Sequence, residues 1–233
     1  MIRQCIVILL FMAAWAAAQE LQCPHDCVTG EWSNTGIQIP GPNRIRIPSP
    51  DGRNVIHADG NYWWLDIAGK RTSAKKFPLE TWREFGWAPD SQAFYLTQSE
   101  GFTTGYHTEI YRIEKGGVVR LSQPDDLVQR DLELRHSCRQ RAPGRGWMGN
   151  DPNRAGVSWT KGSSELLMVS EVPPVGLCRE APYFAGYLVS ISTGRIVARY
   201  SPEALLVQWG NVVGKRLKDD FQELSEQQKK MTP

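Results

Sequence analysis

The chain has 233 residues with 27 basic and 25 acidic side chains, so its formal net charge is only +2 at pH 7. This balance argues against a nucleic-acid partner, because such proteins usually carry a clustered basic surface. The length suits one sizeable domain or two small ones, and the composition is that of a globular protein rich in tryptophan.

Residues 1–18 have the pattern of a secretory signal peptide. Arg3 supplies a short positive region, residues 5–14 are almost wholly apolar, and Ala16 to Ala18 supply small residues before a predicted cleavage site at Gln19. The apolar run is shorter than the roughly 20 residues of a transmembrane helix. We therefore expect an exported protein, periplasmic or secreted, with no transmembrane segment after signal removal; an uncleaved anchor is the alternative.

Export determines how the cysteines are interpreted. Cys23, Cys27, Cys138 and Cys178 remain after signal removal, an even number that predicts disulfides in an oxidising compartment. Three pairings are possible and the sequence does not choose among them. We prefer Cys23–Cys27 with Cys138–Cys178, since closing the second loop would contribute about 4 kcal/mol on the chain-entropy estimate.

The Cys23-x3-Cys27 segment has a second interpretation. Its two thiolates and the imidazole of His25 would suit a soft metal such as Cu(I). Export favours the disulfide over this metal site. We predict no cofactor and assign no metal ligand.

A tight turn followed by an apolar strand occurs three times in the chain. The copies are Pro50-Asp51-Gly52 before residues 54–57, Pro89-Asp90-Ser91 before residues 93–96, and Lys161-Gly162-Ser163 before residues 165–169. A second apolar strand that ends in a glycine turn follows each copy, at residues 62–67, 109–113 and 187–191. Repetition of such a unit is typical of a β-propeller.

Two stretches resemble the repeat of a known family. Residues 87–96 resemble the W-S-P-D-G-x-x-I-A-F motif of TolB-type, WD-like propellers, and residues 109–117 resemble its I-Y-V-M-D-x-x-G-G strand and turn. The resemblance implies about three blade-like repeats and says little about activity. Closed propellers have about four to eight blades. Three repeats therefore imply a small or open propeller, a degenerate blade within residues 122–156, or closure as a homo-oligomer.

We expect four segments and an all-β fold. The segments are the signal peptide at 1–18, a lead-in with Cys-x3-Cys at 19–43, a repeat domain at 44–200 with an insertion at 122–156, and a C-terminal helix and tail at 201–233. Ser201 and Pro202 predict a helix start. Leu217, Phe221 and Leu224 recur on one helical face. The predicted class is thus small or partial propeller-like antiparallel sheets with a C-terminal α-helix.

The insertion at 122–156 holds most of the candidate binding residues. It is rich in arginine, and Arg139, Arg141 and Arg145 would suit an anionic partner because the guanidinium fork matches carboxylate or phosphate. Trp147 is the candidate functional aromatic residue. A solvated insertion tethered by a disulfide is the alternative, although loops on rigid scaffolds often carry function.

The remaining candidates are a histidine and the other tryptophans. His107 lies in a Gly/Thr-rich loop and would act as a base if Asp90 or Glu109 oriented it; a solvated loop histidine is the alternative. Strand alternation predicts that either Trp63 or Trp64 is in the core, while the other faces outward. Core positions are also predicted for two more tryptophans, Trp87 and Trp159.

No catalytic residue is assigned. We expect an exported, non-catalytic binding or scaffold module whose partner is a protein of the cell envelope or the extracellular space. The alternative is a carbohydrate-binding module or hydrolase with a Trp-lined pocket, because aromatic rings offer large stacking surfaces.

Overall fold

The computed structural model describes residues 21–23, 25–39, 44–60, 62–72, 77–101, 105–115, 117–121, 123–135, 152–160, 162–172 and 183–231. Within these ranges the elements, in chain order, are β1 Leu21–Gln22, β2 Ile37–Gln38, β3 Ile45–Pro48, β4 Asn54–Asp59, β5 Tyr62–Ile67, β6 Lys70–Arg71, β7 Phe77–Pro78, β8 Trp82–Trp87, β9 Ala93–Ser99, β10 His107–Glu114, β11 Gly117–Leu121, α1 Pro124–Arg135, β12 Asn153–Trp159, β13 Glu165–Val172, β14 Tyr183–Ser190, β15 Ile196–Tyr200, α2 Pro202–Trp209 and α3 Lys215–Met231.

The strands form three sheets, one for each predicted repeat. The first has the order β1-β3-β4-β5-β6 with β7 beside β5, the second β11-β10-β9-β8-β2, and the third β12-β13-β14-β15. Each contains four strands that follow one another in the chain and pair antiparallel. The predicted fold class, antiparallel sheets with a C-terminal helix, is confirmed.

The three predicted turns adopt one geometry. Gly52, Ser91 and Ser163 all have positive φ, at 71°, 63° and 54°. Each donates its backbone N–H to the carbonyl three residues earlier, over 2.8, 2.9 and 2.9 Å. Positive φ costs glycine nothing but strains serine. The two serines therefore occupy a conformation that their own turn does not favour.

The two serines join neighbouring sheets. The Asp51 N–H donates to Ser91 Oγ over 3.1 Å, and the Asp90 N–H donates to Ser163 Oγ over 3.0 Å. The first bond links the first and second sheets, and the second links the second and third sheets. Each of the first two turns thus donates to the serine of the following turn.

Two tryptophan side chains form a second set of hydrogen bonds between the same pairs of sheets. Trp87 lies four residues before Ser91, and its Nε1 donates to the Ile47 carbonyl over 3.2 Å. Trp159 lies four residues before Ser163, and its Nε1 donates to the Gly86 carbonyl over 3.1 Å. Both rings pack in hydrophobic clusters between sheets, Trp159 as a buried member and Trp87 as a partly buried one. The predicted core position is therefore confirmed for Trp159 and only in part for Trp87.

The paired tryptophans of β5 follow the predicted alternation. Trp63 is buried and packs edge-on against Phe94, whereas Trp64 is half-buried on the opposite face of the first sheet. There it stacks on His57 with 5.1 Å between ring centroids, and Arg71 lies 4.8 Å above it. The Trp64 ring thus already has an aromatic and a cationic neighbour within its own sheet.

Tyr95 fills the space between the second and third sheets. Its side chain is 1% exposed, and a Cβ atom placed on Gly86 or Gly156 would approach the ring to within 2.4 or 2.7 Å. Gly86 is the cross-strand neighbour of Tyr95 within the second sheet, in β8, whereas Gly156 lies in β12 of the third sheet. Their lack of a side chain leaves room for the Tyr95 ring where the two sheets meet.

We expect Gly86→Ala to lower the free energy of unfolding by about 1–3 kcal/mol, because the new methyl group overpacks the Tyr95 ring. Urea unfolding monitored by circular dichroism would measure the loss. Gly117→Ala is the matched control, since a Cβ there meets its nearest atom at 3.6 Å. Equal effects of the two changes would contradict this account of Gly86.

The insertion predicted at 122–156 contains a helix and the start of a strand. The alternative of a degenerate blade is wrong for residues 124–135, which form α1, and β12 begins at Asn153. Pro124 opens the helix and acidic side chains occupy its first turn, both of which favour a helix N-terminus. Val128 and Leu132 are buried against the third sheet.

The C-terminal segment forms two helices instead of one. Ser201 caps α2 as predicted, its Oγ accepting the Ala204 N–H over 3.3 Å. Leu217 is fully buried, and Phe221 and Leu224 are partly buried beside it, which confirms the predicted apolar face of α3. Gly214, just before α3, would bring a Cβ within 2.1 Å of the Glu31 carbonyl, so α3 begins against the lead-in.

Residues 28–36 and 201–226 together cover the third sheet and are called the cap. Trp32 and Leu217 of the cap pack with Val157, Leu167 and other apolar residues of the third sheet in one cluster. A bridge between Ser33 and Val213 joins the two parts of the cap. Among the described helices, none combines the length and apolarity needed to cross a bilayer.

Candidate binding surface

The two ends of the sheets differ in how their strands are connected. One, the turn end, holds the short hairpins around Gly52, Ser91 and Ser163. At the other, the loop end, β9 stops at Ser99 and β10 starts at His107, and residues 173–182 join β13 to β14. The registers His107↔Gln98 and Asn153↔Glu171 place these strand ends together within their sheets.

Hydrogen bonds between sheets align the loop ends with one another. The Arg154 N–H donates to the Tyr106 carbonyl over 2.8 Å, which joins the start of β12 to the start of β10. Arg83 Nη1 donates to the Gly60 carbonyl over 2.8 Å, which joins β8 to the β4–β5 turn. One side of the molecule therefore carries the longer connections of the second and third sheets together with the short β4–β5 turn of the first.

His107 lies at this loop end, but its predicted orienting partners are wrong. Its Nε2 is 3.8 Å from Glu80 Oε1. Asp90 lies at the turn end, and Glu109 binds Arg120 at 2.9 Å and accepts the Tyr111 hydroxyl at 2.7 Å. Arg120 on the adjacent strand gives Glu109 a close opposite charge. Burial raises the pKa of Glu80, the acidic neighbour of His107.

Arg154, from the arginine-rich insertion, is a structural anchor. Its Nε donates to Asp125 Oδ2 over 2.8 Å, and Asp125 Oδ1 accepts the Thr108 N–H over 2.9 Å. This network ties the first turn of α1 to β10 and β12. Burial raises the pKa of Asp125 even though Arg154 and Thr108 act in the opposite direction.

The candidate residues of the arginine-rich insertion fall outside the described residues. Arg139, Arg141, Arg145 and Trp147 belong to the segment between α1 and β12, and so does Cys138; Cys178 lies between β13 and β14. Their roles stay predictions. Cys23 and Cys27 form the preferred disulfide. Neither sulfur is then a thiolate, as the alternative metal site would require.

A buried glutamate fixes the lead-in to the second sheet. Glu84 is 4% exposed, and its Oε2 accepts the Trp32 N–H over 3.0 Å. Gly30 and Gly36 leave room for this carboxyl group, since a Cβ on either would approach it to 1.9 or 2.4 Å. Burial raises the pKa of Glu84 to about 8, against smaller opposing contributions from backbone N–H groups.

A second acidic group joins α3 to the third sheet near the loop end. The side chain of Glu171 is fully buried, and its Oε2 accepts Asn153 Nδ2 at 2.8 Å and Arg216 Nη2 at 3.1 Å. Arg216 also lies 4.5 Å above the Trp32 ring. Burial and the neighbouring Glu171 raise the pKa of Asp220 to about 7.

Sequence reasoning missed these acids, although one signal was present. Glu171 is an acid inside an otherwise buried strand, β13, and a buried acid requires polar partners. Its partner Arg216 is 45 residues away in the chain, so no local pattern connects them. Glu84 lies in β8 among buried residues in the same way.

Comparisons with known proteins add no relative. No protein-family model matches the chain, and no curated protein matches it. The class is therefore defined by the fold described above, three linked antiparallel sheets with a helical cap. The likeness to TolB-type repeats remains a resemblance of motifs.

Proposed function

We propose that the protein is an exported, non-catalytic binding module that recognises a protein partner through its loop end. The observation that carries this proposal is the asymmetry of the sheets, with tight hairpins at one end and the longer connections of the second and third sheets at the other. Binding residues are commonly placed on loops that a rigid scaffold positions.

The links between sheets support the scaffold role. The serine and tryptophan bonds repeat between successive sheets, and the Cys23–Cys27 disulfide closes a short loop within the lead-in. Such links favour a fixed spacing of the loop ends, which lowers the entropy cost of binding. The signal-peptide pattern and this disulfide support export.

The arginine-rich segment indicates what kind of protein partner would bind. Residues 136–151 connect α1 to Pro152, next to the loop-end anchor Arg154. Arg139, Arg141 and Arg145 would bind carboxylates of an acidic partner, and Trp147 would supply an aromatic contact. His107 and Glu80 lie at the same end of the sheets as Arg154.

Site-specific photocrosslinking would test the proposal. We expect a benzoyl-phenylalanine at position 100, exposed at the loop end, to capture a defined envelope or extracellular protein. The same label at Arg53, exposed at the turn end, serves as the matched control and should not capture it. Replacing Arg139, Arg141 and Arg145 together by alanine should weaken the capture. Equal capture from both ends would contradict the proposal.

A carbohydrate ligand is the second candidate, favoured by one exposed ring. Trp82 opens β8 at the loop end and is 45% exposed, whereas Trp32, Trp63 and Trp159 are core residues. Binding on a glycan array that Trp82→Ala or Trp147→Ala abolishes would favour this function. An absence of glycan binding by the folded protein would exclude it.

A further inference from the structure

We propose that a single proton shared by Glu171 and Asp220 holds α3 against the third sheet, so that the cap tightens in mild acid and loosens toward neutral pH. The inference is independent of the partner proposed above. It rests on how the two carboxyl groups are buried and on which of their oxygens have partners.

The hydrogen bonds of Glu171 are distributed unevenly. Asn153 and Arg216 both donate to Oε2, whereas Oε1 is buried without a hydrogen-bond partner among the described residues. Asp220 Oδ2 is likewise buried and lacks such a partner in that part of the chain. Glu171 is a neighbour of Asp220 and raises its pKa both as a negative charge and as a hydrogen-bond partner. Two carboxylates cannot donate to each other, but one proton between them would satisfy both.

The surrounding charges favour that proton. Arg216 faces the pair from α3 and already donates to Glu171, while Glu223 adds another negative charge from the same helix. Tyr106 faces Arg216 and Glu171 from the segment before β10, and Glu31 and Glu84 lie near that same tyrosine. One guanidinium thus faces several acids, so neutralising Asp220 relieves repulsion.

The direction of the pH effect follows from linkage. Burial and Glu171 raise the pKa of Asp220 from 3.8 to about 7 when α3 is docked. A raised acid pKa stabilises the docked state at low pH, and this contribution is lost as pH rises through the window between the two values. Above that window the docked helix stays at its weakest, because both states are then ionised.

Loosening the cap would uncover an apolar surface. The third sheet presents Val157, Leu167, Val169 and Phe184 to the cap, and each is fully buried. Arg216 also holds Trp32 through its ring contact, so the lead-in and α3 depend on the same cluster. The proton would therefore control access to a whole sheet face rather than to one side chain.

Hydrogen exchange of α3 amides between pH 5 and pH 8 tests the inference, with protection corrected for intrinsic exchange and compared with β9. We expect α3 protection to fall by about tenfold from pH 5 to pH 7. That is less than the hundredfold a fully buried group would give, because Asp220 is only partly buried. Asp220→Asn should reduce the fall, since asparagine mimics the protonated acid, and only the pH dependence that Glu84 gives to the lead-in should remain.

Asp219→Asn is the matched control, because Asp219 is exposed and pairs with Lys215. It should retain the wild-type pH dependence. Glu171→Gln, which places the neutral group on the other partner, should also flatten it and serves if Asp220→Asn fails to fold. A wild-type fall in either neutral variant, or a flat profile in Asp219→Asn, would overturn the inference.

Discussion

Replacing Glu84 by glutamine is expected to flatten the dependence of folding stability on pH between about 5 and 8. In the folded protein, burial raises the pKa of this carboxyl from 4.5 to about 8, so ionising it opposes folding. The cost is absent below the unfolded pKa, grows as pH rises, and is complete above the folded one. Over this range it amounts to roughly 3–5 kcal/mol, at about 1.4 kcal/mol per pH unit.

Urea unfolding at pH 5, 6, 7 and 8 would measure this effect. Glu84→Gln keeps an oxygen that can accept the Trp32 N–H. We therefore expect its free energy of unfolding to equal that of the wild type or lie below it at pH 5, and to exceed it at pH 8. Glu114→Gln, at an exposed position, should follow the wild-type curve. A Glu84→Gln curve as steep as that of the wild type would show that the carboxyl is not the source.

The largest loss from a single core substitution is expected for Trp159→Ala. Its ring is 8% exposed between the second and third sheets, and its Nε1 bonds the Gly86 carbonyl. Removing a buried tryptophan typically costs about 3–5 kcal/mol through lost burial and the cavity left behind. The carbonyl of Gly86 also loses its link to the third sheet.

Chemical denaturation at pH 6 would quantify the change in the free energy of unfolding. Trp82→Ala is the matched control, because the same side chain is removed from a position that is 45% exposed. We expect that change to lie within about 1 kcal/mol of the wild type. Similar losses for the two variants would contradict the linking role of Trp159.

Local chemistry explains which parts of the fold were predictable from sequence. The hairpins at Gly52, Ser91 and Ser163 follow from turn residues beside apolar strands, and Ser201 follows from helix capping. The short strands β1 and β2 were not predicted, because two-residue strands exist only through pairing with β3 and β8. Their neighbours are distant in the chain, so no local pattern indicates them.

Helix α1 shows where local signals mislead. Pro124 and Asp125 suit a turn as well as a helix start, and only the contact of Asp125 with Arg154 and Thr108 distinguishes the two. Pro124, Val128 and Leu132 are the buried positions of this helix among the described side chains, a stripe one residue wide that is too narrow to reveal its period. The site residues Glu171 and Asp220 were hidden for the same reason, since their pairing is set by tertiary contact.

The links between sheets also have a consequence for how such a chain could have grown. The second sheet takes part in both sets of hydrogen bonds. Its Trp87 and Ser91 side chains bond to the first sheet, and its Gly86 carbonyl and Asp90 N–H bond to the third sheet. In the first sheet, Pro48 and Gly52 stand at the positions that correspond to Trp87 and Ser91. Duplication of the segment that forms the second sheet would therefore preserve every hydrogen bond between successive sheets. Duplication of the segment that forms the first sheet would interrupt them.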